Sequence, residues 1–129
     1  AYEIHERLVG SEMCIRDRAN SVTSTGATAP SSESLTHAAV YLCSDKISYV
    51  FHVHSPDIWH ARERLSIPST DSSIPYGTPE MAKAVINIVL QDKGIFCMSG
   101  HEDGVVGFGD SAEQIVNSLL SLRDLSVAN

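Results

Sequence analysis

The sequence predicts an α/β protein with helices layered on a sheet that contains at least one antiparallel strand pair. Three observations carry that expectation. Segments with apolar residues every three or four positions alternate with short, continuous apolar runs. Two of those runs, Gly94 to Ser99 and Gly104 to Gly109, are separated by only residues 100–103, too short a link for a parallel crossover. Several helical segments also open on recognisable capping residues, so their starts are well marked.

In chain order, Ala19 to Ser34 is rich in Ser, Thr, Ala and Gly and reads as loop or weak strand. Leu35, Ala38, Ala39 and Leu42 then recur at helical spacing, with Ser31 or Ser32 available as N-cap and Glu33 in the first turn. After Ser44-Asp45-Lys46, Ile47 to His54 reads as a strand. Ser55-Pro56-Asp57 suits a turn into a short helix through Trp59 to Arg64. Residues 67–70 and 74–77 read as short extended pieces joined by a polar turn. Thr78-Pro79-Glu80 opens a helix through Leu90 that buries Met81, Ala84, Val85, Ile88 and Val89. The strand pair follows, and its turn contains His101-Glu102-Asp103. Asp110-Ser111-Ala112-Glu113 resembles a capping box and leads a final helix with Ile115, Val116, Leu119, Leu120 and Leu122 on its apolar face. The order supports a layered α/β arrangement.

Residues 1–18 (AYEIHERLVGSEMCIRDR) do not read as the start of a domain and resemble a translated sequencing-library adapter. Three of the nine Lys and Arg and four of the sixteen Asp and Glu lie there, so six basic and twelve acidic side chains remain over 111 residues. This acidic balance without a basic stripe argues against nucleic-acid binding. Cys43 and Cys97 remain, both in apolar stretches without disulfide-type spacing, which favours reduced thiols and an intracellular, cytoplasmic setting. No run approaches the roughly 18 apolar residues of a membrane span. About 110 residues suit one modest core rather than two domains.

The chemistry concentrates in Val50-Phe51-His52-Val53-His54-Ser55-Pro56 and the later Ser99-Gly100-His101-Glu102-Asp103-Gly104. Side chains alternate faces along a strand, so His52 and His54 project from the same side and can share one metal ion. An isolated His-x-His is more commonly a solvated or hydrogen-bonded pair. With His101 as a third imidazole and Glu33 upstream, the set matches a catalytic zinc site, in which three protein ligands leave a fourth position open. Glu33 alone reads as a favourable charge at a helix start. Tyr76 and Asp57 are weaker candidates for auxiliary acids, and Trp59 and His60 read as packing and surface residues.

Pro30-Ser31-Ser32-Glu33 with His37, His52-Val53-His54-Ser55, Tyr76-Gly77-Thr78 and Gly100-His101 with Gly104-Val105-Val106-Gly107-Phe108-Gly109 together resemble the class II aldolase/adducin family, from about Gly26 to Leu122. The resemblance implies a three-layer α/β/α sandwich around a largely antiparallel sheet, incomplete in this chain, and a homotetramer with sites near subunit interfaces. It matches His52, His54 and His101 to zinc ligands and Glu33 to the catalytic carboxylate of the aldolase branch. It implies a lyase acting on a small hydroxy-carbonyl substrate, commonly a sugar phosphate, through a metal-stabilised enediolate. Epimerase and dehydratase activities on the same fold remain open, as does a non-catalytic adducin-like module or an inactive fragment. Manganese or cobalt could replace zinc. Two departures stand out. The family's early Gly-Asn and Thr/Ser-Gly substrate loops are not recognisable before Gly26, so residues 19–129 read as the C-terminal portion of a single domain. Glu102-Asp103 also separates His101 from Gly104, where many members place Gly directly after the His.

Overall fold

Four short strands, three of which carry apolar residues that stacked helices cover, assemble into a mixed sheet. In the computed structural model the described residues are 33–128, together with the backbone of residues 3–8, 11–16 and 21–26. Those three earlier segments are strands β1 (Glu3–Leu8), β2 (Ser11–Arg16) and β3 (Ser21–Gly26), an antiparallel sheet in the order β1-β2-β3. The expected N-caps Ser31 and Ser32 lie outside the described residues.

Helix α1 spans Ser34–Leu42, with Glu33 as its N-cap residue rather than within the first turn. Strand β4 is Tyr49–His54, starting two residues later than the sequence suggests. The short helix α2, Pro56–Ala61, is capped by Ser55, whose side chain accepts from the Ile58 amide, and has Pro56 in its first turn. Only Ser69–Thr70 of the two expected extended pieces becomes a strand, β5. Helix α3, Pro79–Ile88, starts as expected, with the Thr78 hydroxyl accepting from the Met81 amide. Strands β6 (Gly94–Met98) and β7 (Gly104–Gly109) form the expected antiparallel pair. Helix α4 runs Ala112–Val127, five residues past Leu122, and its cap is Ser111, accepting from Gln114, rather than Asp110.

The sheet order is β4-β7-β6-β5, antiparallel except for the β5–β6 edge. On one face α1 and α3 cover Val50, Phe96, Met98, Val106 and Phe108 through Val40, Met81 and Val85. On the other face Ile58 of α2 and Leu119 and Leu122 of α4 pack with Cys97 and Val105. Strand alternation thus feeds two cores, and the result is the three-layer α/β/α arrangement with a largely antiparallel sheet. Among the described residues Cys43 and Cys97 are free thiols, and burial pushes Cys97 up to about 11.

Two helix faces differ from expectation. In α3, Ala82 is buried and Ala84 is only partly covered. In α4, Ile115 is buried, Leu119 and Leu122 are partly buried, and Val116 and Leu120 are exposed, because the helix presents a narrow stripe to the sheet. Phe96 is 1% exposed at the centre of the larger core. Phe96→Ala is therefore expected to lower unfolding stability by about 3–5 kcal/mol, read as a shift in the urea midpoint.

Candidate metal centre

Strand register brings the histidines together at one end of the sheet. His54 pairs with Gly104, the first residue of β7, and His52 pairs with Val106. The period of two places both imidazoles on one face, with ring centroids 5.0 Å apart. His101 lies in the turn between β6 and β7, where its amide donates to the Met98 carbonyl and its own carbonyl accepts from the Gly104 amide. Its ring is 5.2 Å from that of His52 and 4.9 Å from that of His54.

The three residues offer ligand nitrogens that all lie within 4.8 Å of one another. Nε2 of His54 and Nε2 of His101 are 3.2 Å apart. Zn–N bonds of about 2.0–2.1 Å in tetrahedral geometry separate ligand nitrogens by about 3.4 Å, so the His54–His101 pair already stands near the spacing of two ligands on one ion. The Nε2 atom of His52 is buried and has no hydrogen-bond partner in the structure. A buried imidazole nitrogen without a partner is costly unless something else occupies its lone pair or takes its proton. The residues present therefore fit a metal ion.

Protonation favours the same fit, because metal ligation needs neutral imidazoles. Burial first, then the neighbouring His101, His54 and His37, lowers His52 from 6.5 to about 4. Burial and His54 also lower His101, and burial lowers His37. The sign for stability follows from proton uptake on unfolding. Below pH 6.5 the unfolded chain binds more protons at these groups than the folded one, for His52 down to about pH 4, so their contribution is present above 6.5 and declines with acidification. Glu33, whose pKa is raised, acts in the opposite direction. His52, lowered to about 4, carries the largest of these shifts, so the metal-free protein should melt at a lower temperature at pH 5 than at pH 7.

Glu33 is brought to the cluster by the start of α1. It is 5% exposed, and its Oε1 lies 4.0 Å from Nε2 of His101. Burial raises its pKa, an effect that the nearby His54 and Thr36 partly offset. The four singled-out residues Glu33, His52, His54 and His101 therefore converge, although nearly seventy positions separate the first from the last.

Two neighbours carry more weight here than their sequence positions suggest. Tyr76 lies with its ring centroid 4.2 Å from that of His101 while remaining 46% exposed, so it borders the site rather than the core. Its place in Tyr76-Gly77-Thr78, where Gly77 adopts a φ of 71°, was the available signal. Gly104 is the second: a Cβ there would lie 2.5 Å from Cδ2 of His101. Gly104→Ala is expected to displace His101 and weaken zinc binding at least tenfold, measured by chelator competition. Asp57, by contrast, is engaged with Arg123 of α4 at 3.3 Å. A cavity of about 580 Å³ lined by Lys93, Gly94, Phe108 and Ser111 lies at the other end of the sheet and contains none of the histidines.

The sequence profile of the Class II Aldolase and Adducin N-terminal domain matches residues 5–126. The chain belongs to the class II aldolase/adducin family. That match includes residues 5–18, within the adapter-like stretch, and β1 and β2 lie there too. No curated protein sequence matches the chain. Among the described residues no helix is long and apolar enough to cross a membrane.

Proposed function

We propose that this chain carries the metal centre of a zinc-dependent aldolase-like lyase acting on a small hydroxy-carbonyl compound, with a sugar phosphate as the leading substrate class. The observation that supports it most is the convergence of three imidazoles and one buried carboxyl at the open end of the sheet. His52, His54 and His101 are the metal ligands in this reading. A divalent ion held there would act as a Lewis acid, stabilising the negative charge that develops on the substrate's enediolate oxygens.

Glu33 is the proton-transferring group. As a carboxylate it accepts the α-proton of the donor substrate; as a neutral acid it returns that proton to carbon in the cleavage direction. Burial holds its pKa above the ordinary carboxylate value, closer to working pH, which suits a group used in both forms. Thr36 restrains that shift from the next turn of α1.

The working protein in this reading is a cytoplasmic homo-oligomer, a tetramer at full length. Residues 1–18 are adapter-derived, and residues 19–129 are the C-terminal portion of the domain. Sequencing the parent locus from unprocessed DNA across Arg18 and Ala19 tests the last point: the adapter reading requires residues 1–18 to vanish, and their persistence refutes it. The function itself is tested by assaying the intact gene product, zinc-loaded, for retro-aldol cleavage, epimerisation and dehydration of sugar phosphates. Cleavage that requires zinc supports the lyase. Tight zinc binding with no turnover in any of the three assays would contradict it and favour a non-catalytic module.

A further inference from the structure

The same short helix touches both sides of the histidine cluster. Helix α2 is capped by Ser55, immediately after His54, and the Ser55 amide donates to the Asp103 carbonyl at 2.9 Å. Its far end reaches the exit of β6. Trp59 Nε1 donates to the Met98 carbonyl at 3.0 Å, and Arg62 Nε donates to the Ser99 hydroxyl at 3.2 Å. Arg62 is itself held, because Nη1 donates to the Trp59 carbonyl at 2.7 Å and the guanidinium carbon lies 3.9 Å from the centroid of the Trp59 ring. The Met98 carbonyl also accepts from the His101 amide at 3.1 Å, so Trp59 and His101 share one acceptor.

We infer that the Trp59–Arg62 pair is a positioning device for His101: it fixes the Met98 carbonyl and the Ser99 side chain, where the His101 turn starts, and so holds His101 at metal-binding distance from His54. This rests on the metal reading above. Arg62 is suited to the task because its planar guanidinium stacks face-on against the indole while a rigid fork of N–H groups donates in fixed directions, a geometry that the compact ammonium of a lysine does not reproduce. Partners that orient metal ligands commonly change affinity by about 10–100-fold when lost.

Zinc dissociation constants of the full chain, measured by chelator competition in wild type, Arg62→Gln and Arg62→Lys, test the inference. Charge alone would make Arg62→Gln bind zinc more tightly, since a cation near the ion is removed. Positioning requires the opposite, a weakening of about 10–100-fold, with Arg62→Lys also weakened although its charge is kept. Unchanged or tighter binding in Arg62→Gln, or wild-type affinity in Arg62→Lys, would overturn the inference. Should the Arg62 variants fail to fold, Ser99→Ala removes only the hydroxyl that Arg62 reaches; at least threefold weaker binding supports the inference and unchanged binding refutes it. A wild type that binds no zinc sinks the metal reading. Imidazole ¹H–¹⁵N spectra of the metal-free protein then decide the positioning separately: the His54 and His101 signals shift in Arg62→Gln or Ser99→Ala if the pair orients His101, and stay in place if it does not.

Discussion

His101→Ala is expected to weaken zinc binding by more than about 100-fold, beyond the usual effect of losing a mere supporting partner, and to reduce turnover to background. The same loss is expected for His52→Ala. His101 lies in a turn outside the two cores, so its removal should leave the fold intact. His52 removes an imidazole whose buried Nε2 has no protein partner, so its loss should not weaken the metal-free protein through a broken hydrogen bond. Circular dichroism of the metal-free variants separates the two effects. Native spectra with lost zinc binding support the centre, whereas retained affinity in either variant would remove that residue from the ligand set.

Glu33→Gln is expected to produce the opposite split. Zinc affinity should stay within a few-fold of wild type, while turnover falls by about 10²–10⁴-fold, the range associated with loss of a general acid-base group. The substitution preserves volume at a position only 5% exposed. It also replaces a carboxyl whose charged form burial disfavours, so the melting temperature at neutral pH should hold or rise. A zinc-loaded Glu33→Gln with full activity would assign the proton transfer elsewhere, and Tyr76, close to His101, would be the next residue to replace.

Much of this site was legible because it rests on local rules. The strand period alone places His52 and His54 on one face, and Ser55, Thr78 and Ser111 act as helix caps close to where side-chain chemistry suggests. The third imidazole needed more than periodicity, since the pairing of β6 with β7 decides where the His101 turn falls. What local pattern could not supply was tertiary. The exposed Val116 and Leu120 follow the helical repeat of α4, yet the sheet accepts only the stripe through Ile115, Leu119 and Leu122. Residues 74–77 have an extended look, but they form no strand and Tyr76 instead sits against His101. Trp59 reads as a packing residue, and half of that reading holds: its ring packs in the smaller core while its indole N–H binds the carbonyl that also holds His101. Glu102-Asp103, which separates His101 from Gly104, is absorbed by the turn, where Asp103 adopts a φ of 64° and its carbonyl receives the Ser55 amide.

Zinc K-edge X-ray absorption of the protein loaded with one equivalent of zinc tests the central claim most directly. The account predicts a first shell of three imidazole nitrogens at about 2.0–2.1 Å with one further light atom, and loss of one imidazole in His101→Ala. Sulfur scattering at about 2.3 Å, or a shell with fewer than two imidazoles, would place the metal elsewhere and contradict it.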